Sequence, residues 1–259
     1  MPTSVGTGQE DRLLDLLHLA DSALPIGAQS HSFGLETLTA SGMVTSANLE
    51  AFLRDYIEEV IVVDCVYCRA AYALGADLAQ TAPDPTPDPT RHTELLADWL
   101  ALNRRLGALR TAQETRVAGE VLGRRFLALA AEASGNTALR AALDAAQQAG
   151  VACHHAPAFG LVGGALGLEA DATTAAFAQQ ALAALCAAAQ KLLPVGQSAV
   201  THMRWRLKPA LHAALAQSHA IPLADVVADV AAITVASFAP QVELASMRHP
   251  ALPVRLFIS

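Results

Sequence analysis

Charge and aromatic rings are both scarce in this 259-residue sequence: Asp, Glu, Lys and Arg make up 16% and Phe, Trp and Tyr 5%. The 17 basic residues are outnumbered by 24 acidic ones, giving a net charge of −7. They fall in small groups at Arg104–Arg105, Arg124–Arg125 and residues 204–208. No broad basic field exists, which argues against nucleic acid as a partner. The first eleven residues are polar, without a basic-then-apolar leader pattern. No uninterrupted apolar run of about eighteen residues suggests a membrane span. The expectation is a cytoplasmic protein whose four cysteines, Cys65, Cys68, Cys153 and Cys186, stay reduced.

Catalytic signatures are missing as well. Ser30-His31-Ser32 has no identifiable orienting acid. Glu36 and Glu50 stand in no general acid–base context. Gly160, Gly163, Gly164 and Gly167 lack the Gly-Lys-Ser/Thr end of a phosphate loop and the strand that precedes a dinucleotide site. They read as contact points in a buried helix, where glycine lets backbones come close. Cys65 and Cys68 have knuckle spacing but no second pair to complete four ligands. Inside an apolar helical stretch they read as core thiols.

Cys153-His154-His155 offers sulfur and imidazole suited to zinc, copper or nickel. Adjacent side chains diverge, however, so His154 and His155 read first as a surface or helix-capping pair. A metal-binding module using Cys153, His154 and His155, with His249 as a further ligand, is the alternative reading. A helical enzyme with a site near residues 160–167 is a third. With no nucleophile, activated water or cofactor cradle in view, the motifs favour a non-enzymatic binding protein without a resident cofactor.

What is present points to helices. Hydrophobic residues reach 53%, much of it alanine, which loses no side-chain entropy in a helix and lets helices approach closely. Helices are expected over residues 12–20, capped by Asp11, and 34–40, closed by Gly42. Leu49, Phe52, Leu53, Tyr56, Ile57, Val60 and Ile61 recur at helical spacing and start a long helix running towards Ala79. The segment TAPDPTPDPT, within residues 81–91, has four prolines at alternate positions and reads as an extended loop or insertion. Residues 92–132 are proline-free and helical. Asn136 or Thr137 caps a helix to Ala149, and Asp171 or Thr173 starts one to Lys191. Gln197 to Ser218 reads as a helix bent at Pro209, and Leu223 to Ala236 as one more. The fold class is therefore all-α: a single-domain bundle over residues 11–240, with a flexible N-terminal tail over 1–10 and an irregular C-terminal tail over 241–259.

The stretch LLHLADSALPIGAQSHSFGLE, from Leu16 to Glu36, resembles the N-terminal signature of the urease accessory protein F (UreF) family. Four further segments match that family in order. Residues 110–116 resemble its R-x-x-x-E-x-R element, and residues 155–160 its H-x-P-V-A-F/Y-G segment. Residues 193–198 resemble L-x-P-L-G-Q-x, and Ser246-Met247-Arg248-His249 with Arg255-Leu256-Phe257 resembles the S-M-R-H…R-L-F-R-S tail. Family aromatic positions fall at Gln29 and His31, Phe33 replaces a usual glutamine, and Pro250, Pro253 and Ile258 depart from the usual tail.

The resemblance implies an all-helical, dimeric accessory protein that is not itself an enzyme. Such a protein binds a UreD/UreH-type protein and recruits the nickel-carrying GTPase UreG, so that nickel reaches apo-urease. Carried over by position, Gln29, Ser30, His31, Ser32, Phe33 and Glu36, with Arg248, Arg255, Leu256 and Phe257, would form the UreD-type surface. Arg116, Gly196 and Gln197 would shape a dimer or GTPase-facing surface.

Overall fold

The computed structural model of the chain describes residues 8–81, 89–221, 226 and 239–259. The closest helix pair lies at its centre: α4 (Val62–Thr81) against α8 (His155–Ala165). Glycine permits this approach. A Cβ on Gly160 would lie 1.8 Å from the Cys68 carbonyl oxygen, one on Gly75 2.1 Å from that of Leu161, and one on Gly164 2.0 Å from that of Tyr72. Backbone meets backbone at three points along the pair, and at Gly160 and Gly164 this is the helix contact expected of them. Cys68 is buried there and Cys65 in a neighbouring core, and burial raises both thiols, Cys65 to about 12.

Around this pair stand α5 (Pro89–Leu109), α6 (Gln113–Ser134) and α7 (Thr137–Gln148). They close a core containing Trp99, Phe126, Phe159 and Leu74. The fully buried Trp99 indole donates to the Ala142 carbonyl at 3.1 Å, joining α5 to α7. Asn136 caps α7 through its side chain, as expected.

A second core lies beside the first. It takes residues from α2 (Leu35–Ala40), α3 (Leu49–Tyr56), α9 (Ala170–Leu192), α10 (Gln197–Arg206), α11 (Lys208–His219) and α12 (Pro240–Arg248), together with Phe257. The α1 helix (Gly8–Leu19) buries Leu16 and Leu19 in the first core and exposes Leu13, Leu14 and Leu17.

Several expectations need correction. The long helix from Leu49 is interrupted by a π turn over Ile57–Ile61. Leu49 to Ile61 face the second core, whereas most buried residues from Val63 to Leu78 face the first. The wide turn re-phases the helix where the chain passes between them. The proline-free stretch breaks at Arg110, Thr111 and Ala112 because Glu243 of α12 caps α6 from outside. Its carboxylate accepts from the Ala112 amide at 2.5 Å and the Thr111 hydroxyl at 2.6 Å.

Pro209 starts α11 rather than bending a longer helix. The first-turn position suits it, since its missing N–H is unneeded there. Gly8, Gln9 and Glu10, expected in the N-terminal tail, belong to α1. Residues 89–91, expected in the proline-rich loop, belong to α5. After Pro240 a nine-residue helix precedes the irregular segment. The tail reading of residues 1–7, the loop reading of 82–88 and most of the helix at Leu223–Ala236 fall outside the described residues.

One described helix, α9, has the length and hydropathy to cross a membrane. Over half of its apolar window is buried within the bundle, as a core helix requires.

Candidate protein-interaction site

The first loop and the C-terminal segment, 228 residues apart in sequence, form one structure. The loop enters through a 3₁₀ turn, Ala28–Ser30, after Gly27. Phe33 and Gly34 then take left-handed backbone, φ +51° and +86°, and turn the chain into α2. Only glycine fits at 34, because a Cβ there would sit 2.9 Å from both the Ser246 hydroxyl and the Val242 carbonyl oxygen of α12. This contact seats α12 on α2.

The chain beyond α12 then runs back along the loop. The Ile258 amide donates to the Ser30 carbonyl at 2.8 Å and the Ser32 amide to that of Ser259 at 2.5 Å. His31 Nδ1 lies 2.7 Å from the Ser259 hydroxyl. The Lys191 ammonium spans the join, donating to the Gln29 carbonyl at 3.2 Å and standing 5.1 Å from the centre of the Phe257 ring. Burial, with the nearby Arg125 charge, lowers the His31 pKa and favours the neutral ring.

Glu36 holds the centre of this junction. It is 4% exposed, and its carboxylate accepts from the Leu256 amide at 2.6 Å and the Phe257 amide at 3.3 Å. His249, fully buried, places Nε2 2.7 Å from the same carboxylate. An ionised carboxylate only accepts, so Nε2 is the donor.

The residues expected to meet a partner therefore divide in two. His31, Ser32, Glu36 and Phe257 are buried and build the junction. Gln29, Arg248, Arg255 and Leu256 are exposed, while Ser30 and Phe33 are half-buried. Beside them the surface carries an apolar set that a lone globule leaves uncovered: Val254 is 76%, Leu256 66% and Ile258 71% exposed, with Leu244 and Met247 of α12 about half exposed. Residues 254 to 256 are all exposed, and beyond them Phe257 and Ser259 are buried while Ile258 between them is exposed.

Elsewhere, Arg116 is half-buried and donates to the Arg110 carbonyl at 2.8 Å. Gly196 and Gln197 are exposed at the turn between α9 and α10. Trp205, 68% exposed, carries the Lys208 ammonium 3.2 Å from its ring centre.

Cys153, His154 and His155 do not form the surface pair expected. His154 occupies the α8 N-cap position without capping through its side chain. It is 4% exposed, and its ring fills the space above Gly107 and Gly119. His155 lies among Phe126, Phe159 and Phe177, at ring-centre distances of 5.5, 6.2 and 5.5 Å, with Nε2 buried. Among the described residues, no three His, Cys, Asp or Glu side chains converge to hold an ion. The enzyme reading fares no better: Gly160 and Gly164 are filled by α4 backbone rather than opening on a site.

Burial pushes both His154 and His155 down to about 4. A buried neutral histidine leaves stability intact above the unfolded value near 6.5. Below it the unfolded chain takes up protons that the folded one refuses. Stability should fall by roughly 2–3 kcal/mol between pH 7.5 and 5.5 from this pair. Urea unfolding at the two pH values measures it, and His155→Phe should remove about half of the change. Equal midpoints at both values would contradict the assignment.

Comparison with known proteins places the chain in a family. A family model for UreF matches residues 43–208. The chain belongs to the UreF family. A UreF urease accessory protein of Nostoc sp. is 30% identical over 202 residues, 78% of this chain and 80% of the relative. One of Lachnoclostridium phytofermentans is 28% identical over 261 residues, 96% of this chain and all of the relative. A bifunctional urease accessory protein UreEF of Bordetella bronchiseptica is 35% identical over the whole of this chain, which spans 54% of that protein. The general role is that of UreF proteins, accessory factors of urease maturation. The matched UreF span contains the α4–α8 centre, whereas the loop–tail junction lies on either side of it.

Sequence reading found the loop, the tail and Glu36 but missed Lys191, Glu243 and the Gly34–Ser246 contact. Thr111 with Glu114 three residues on has capping-box spacing, a local signal of the α6 start. The other contacts join residues far apart in sequence and leave no local signal.

Proposed function

We propose that this chain acts as a dimeric cytoplasmic scaffold in urease maturation. It binds a UreD/UreH-type protein through the loop–tail face and recruits a UreG-type GTPase, so that nickel, the cargo, reaches apo-urease. The observation that carries the reading is the ordered junction of two distant segments presenting Val254, Leu256 and Ile258 to solvent. An apolar strip on a rigid frame, rimmed by Arg248 and Arg255, has the composition of an interface core and its polar edge. Arg116, Gly196 and Gln197 lie away from the junction's own contacts and are proposed for the dimer or GTPase side. The test is light scattering after size exclusion. The protein alone should run as a dimer and shift into a stoichiometric complex with its cognate UreD-type protein, then a larger one with UreG, nickel and GTP. A monomer that shifts with neither partner would refute the scaffold.

A further inference from the structure

Three elements meet at one buried carboxylate. Glu36 leaves the first turn of α2 and touches the residue after α12, His249, and two successive amides of the tail, Leu256 and Phe257. These contacts act mainly on backbone position. The exposed side chains of Val254, Leu256 and Ile258 make no contact with the carboxylate, yet their outward register depends on where it holds residues 256 and 257.

We infer that Glu36 is a positioning residue. It clamps the C-terminal strip against the loop in its binding-ready conformation and strengthens partner binding without being part of the contact surface. The inference rests on the loop–tail face being the UreD-type surface, as proposed above.

The physical reason is conformational entropy. A short proline-containing segment without secondary structure of its own samples many conformers, and a partner that must order it binds more weakly. The clamp removes that cost before the partner arrives. A buried carboxylate suits the task because hydrogen bonds to a charged acceptor are stronger than neutral ones. Two adjacent amides on one carboxylate also fix the tail's direction along the loop. Glutamine at 36 keeps the shape, but its amide group offers one oxygen where the carboxylate offers two. Either the Leu256 amide, which uses Oε1, or the Phe257 amide together with the imidazole, which share Oε2, then loses its acceptor.

The test uses the full chain, its cognate UreD-type protein and four forms: wild type, Glu36→Gln, Glu36→Asp and Val254→Asp. Two readouts are needed, the dissociation constant and hydrogen–deuterium exchange of the peptide covering residues 252–259 in the unbound protein. Glu36→Gln should exchange faster in that peptide and bind about tenfold more weakly or worse. Its exchange across α4 and α8 should match wild type. Glu36→Asp, which keeps the charge on a shorter arm, should recover part of both. Val254→Asp should lose affinity with tail exchange unchanged, because it alters the surface and leaves the clamp. If Glu36→Gln does not fold, His249→Gln, which removes one arm and keeps the carboxylate, should show the same pair of changes.

Faster tail exchange with unchanged affinity overturns the inference, as does unchanged exchange in both clamp variants. If Val254→Asp binds as tightly as wild type, the loop–tail face itself is not the partner surface. That result overturns the underlying reading and the inference with it.

Discussion

Replacing Gly160 with valine should cost at least about 3 kcal/mol of stability. The atom a side chain would meet at 160 is the Cys68 carbonyl oxygen, 1.8 Å from an added Cβ. No rotamer change clears a backbone atom, so α4 and α8 must separate. They are pinned by the same kind of contact at Gly75 and Gly164, so separation at one point strains the others. Ordinary overpacking in a core costs about 1–3 kcal/mol because side chains can shift. Here they cannot help, and the buried layer with Phe159, Leu161 and Val162 opens as well. Urea unfolding followed by circular dichroism measures the loss. Gly160→Ala should already show much of it. Gly196→Ala, where an added Cβ meets nothing within 4 Å, should stay within about 0.5 kcal/mol of wild type. Equal stability of Gly160→Val and wild type would mean that the two helices do not cross as described.

The second large effect is expected at Asp64. This residue of α4 pairs with Arg110, which is 7% exposed in the break between α5 and α6. Burial raises the Asp64 pKa, against the pull of the guanidinium. Asp64→Ala leaves a buried guanidinium without its counter-ion. Breaking such a pair from one side costs about 3–5 kcal/mol, because the remaining charge has lost its compensation. Removing both charges is different. Asp64→Leu with Arg110→Met should recover most of the loss, since an apolar pair of similar volume avoids the desolvation of two ions. Thermal unfolding of the single and double variants distinguishes a specific pair from general damage. A double variant as unstable as Asp64→Ala would show that the cost came from lost packing instead.

Both effects bear on what the sequence revealed. That the α8 segment makes close helix contacts was legible, because glycines at 160, 163 and 164 in an apolar run suit close backbone approach, whereas its partner α4 was not named by anything in the sequence. The α7 cap at Asn136 and the chain breaks after Leu192 and Ala40 were legible for the same reason: each is decided within a few residues. The Asp64–Arg110 pair was not. Its members stand 46 positions apart, and nothing near either one names the other. The Glu36 clamp joins residues 213 to 221 positions apart, and the Glu243 cap reaches back 131. Family resemblance marked Glu36, Arg248 and Leu256 as residues of one surface. Burial then separated them, with the carboxylate inside holding the tail and Arg248 and Leu256 outside. The divergence of the adjacent histidines at 154 and 155 was legible, but their burial in the bundle was not. Successive residues at a helix start point in different directions, here one ring towards Gly107 and Gly119 and the other into an aromatic cluster.

The central claim is that the exposed strip on the loop–tail junction is where the UreD-type partner binds. The most direct test is a titration of the cognate UreD-type protein with wild type and with Val254→Asp combined with Leu256→Asp. Both side chains are largely exposed, so melting temperature should be unchanged. The account predicts stoichiometric complex formation by wild type and at least a hundredfold loss of affinity in the variant, about 3 kcal/mol. Wild-type affinity in the folded variant would contradict it.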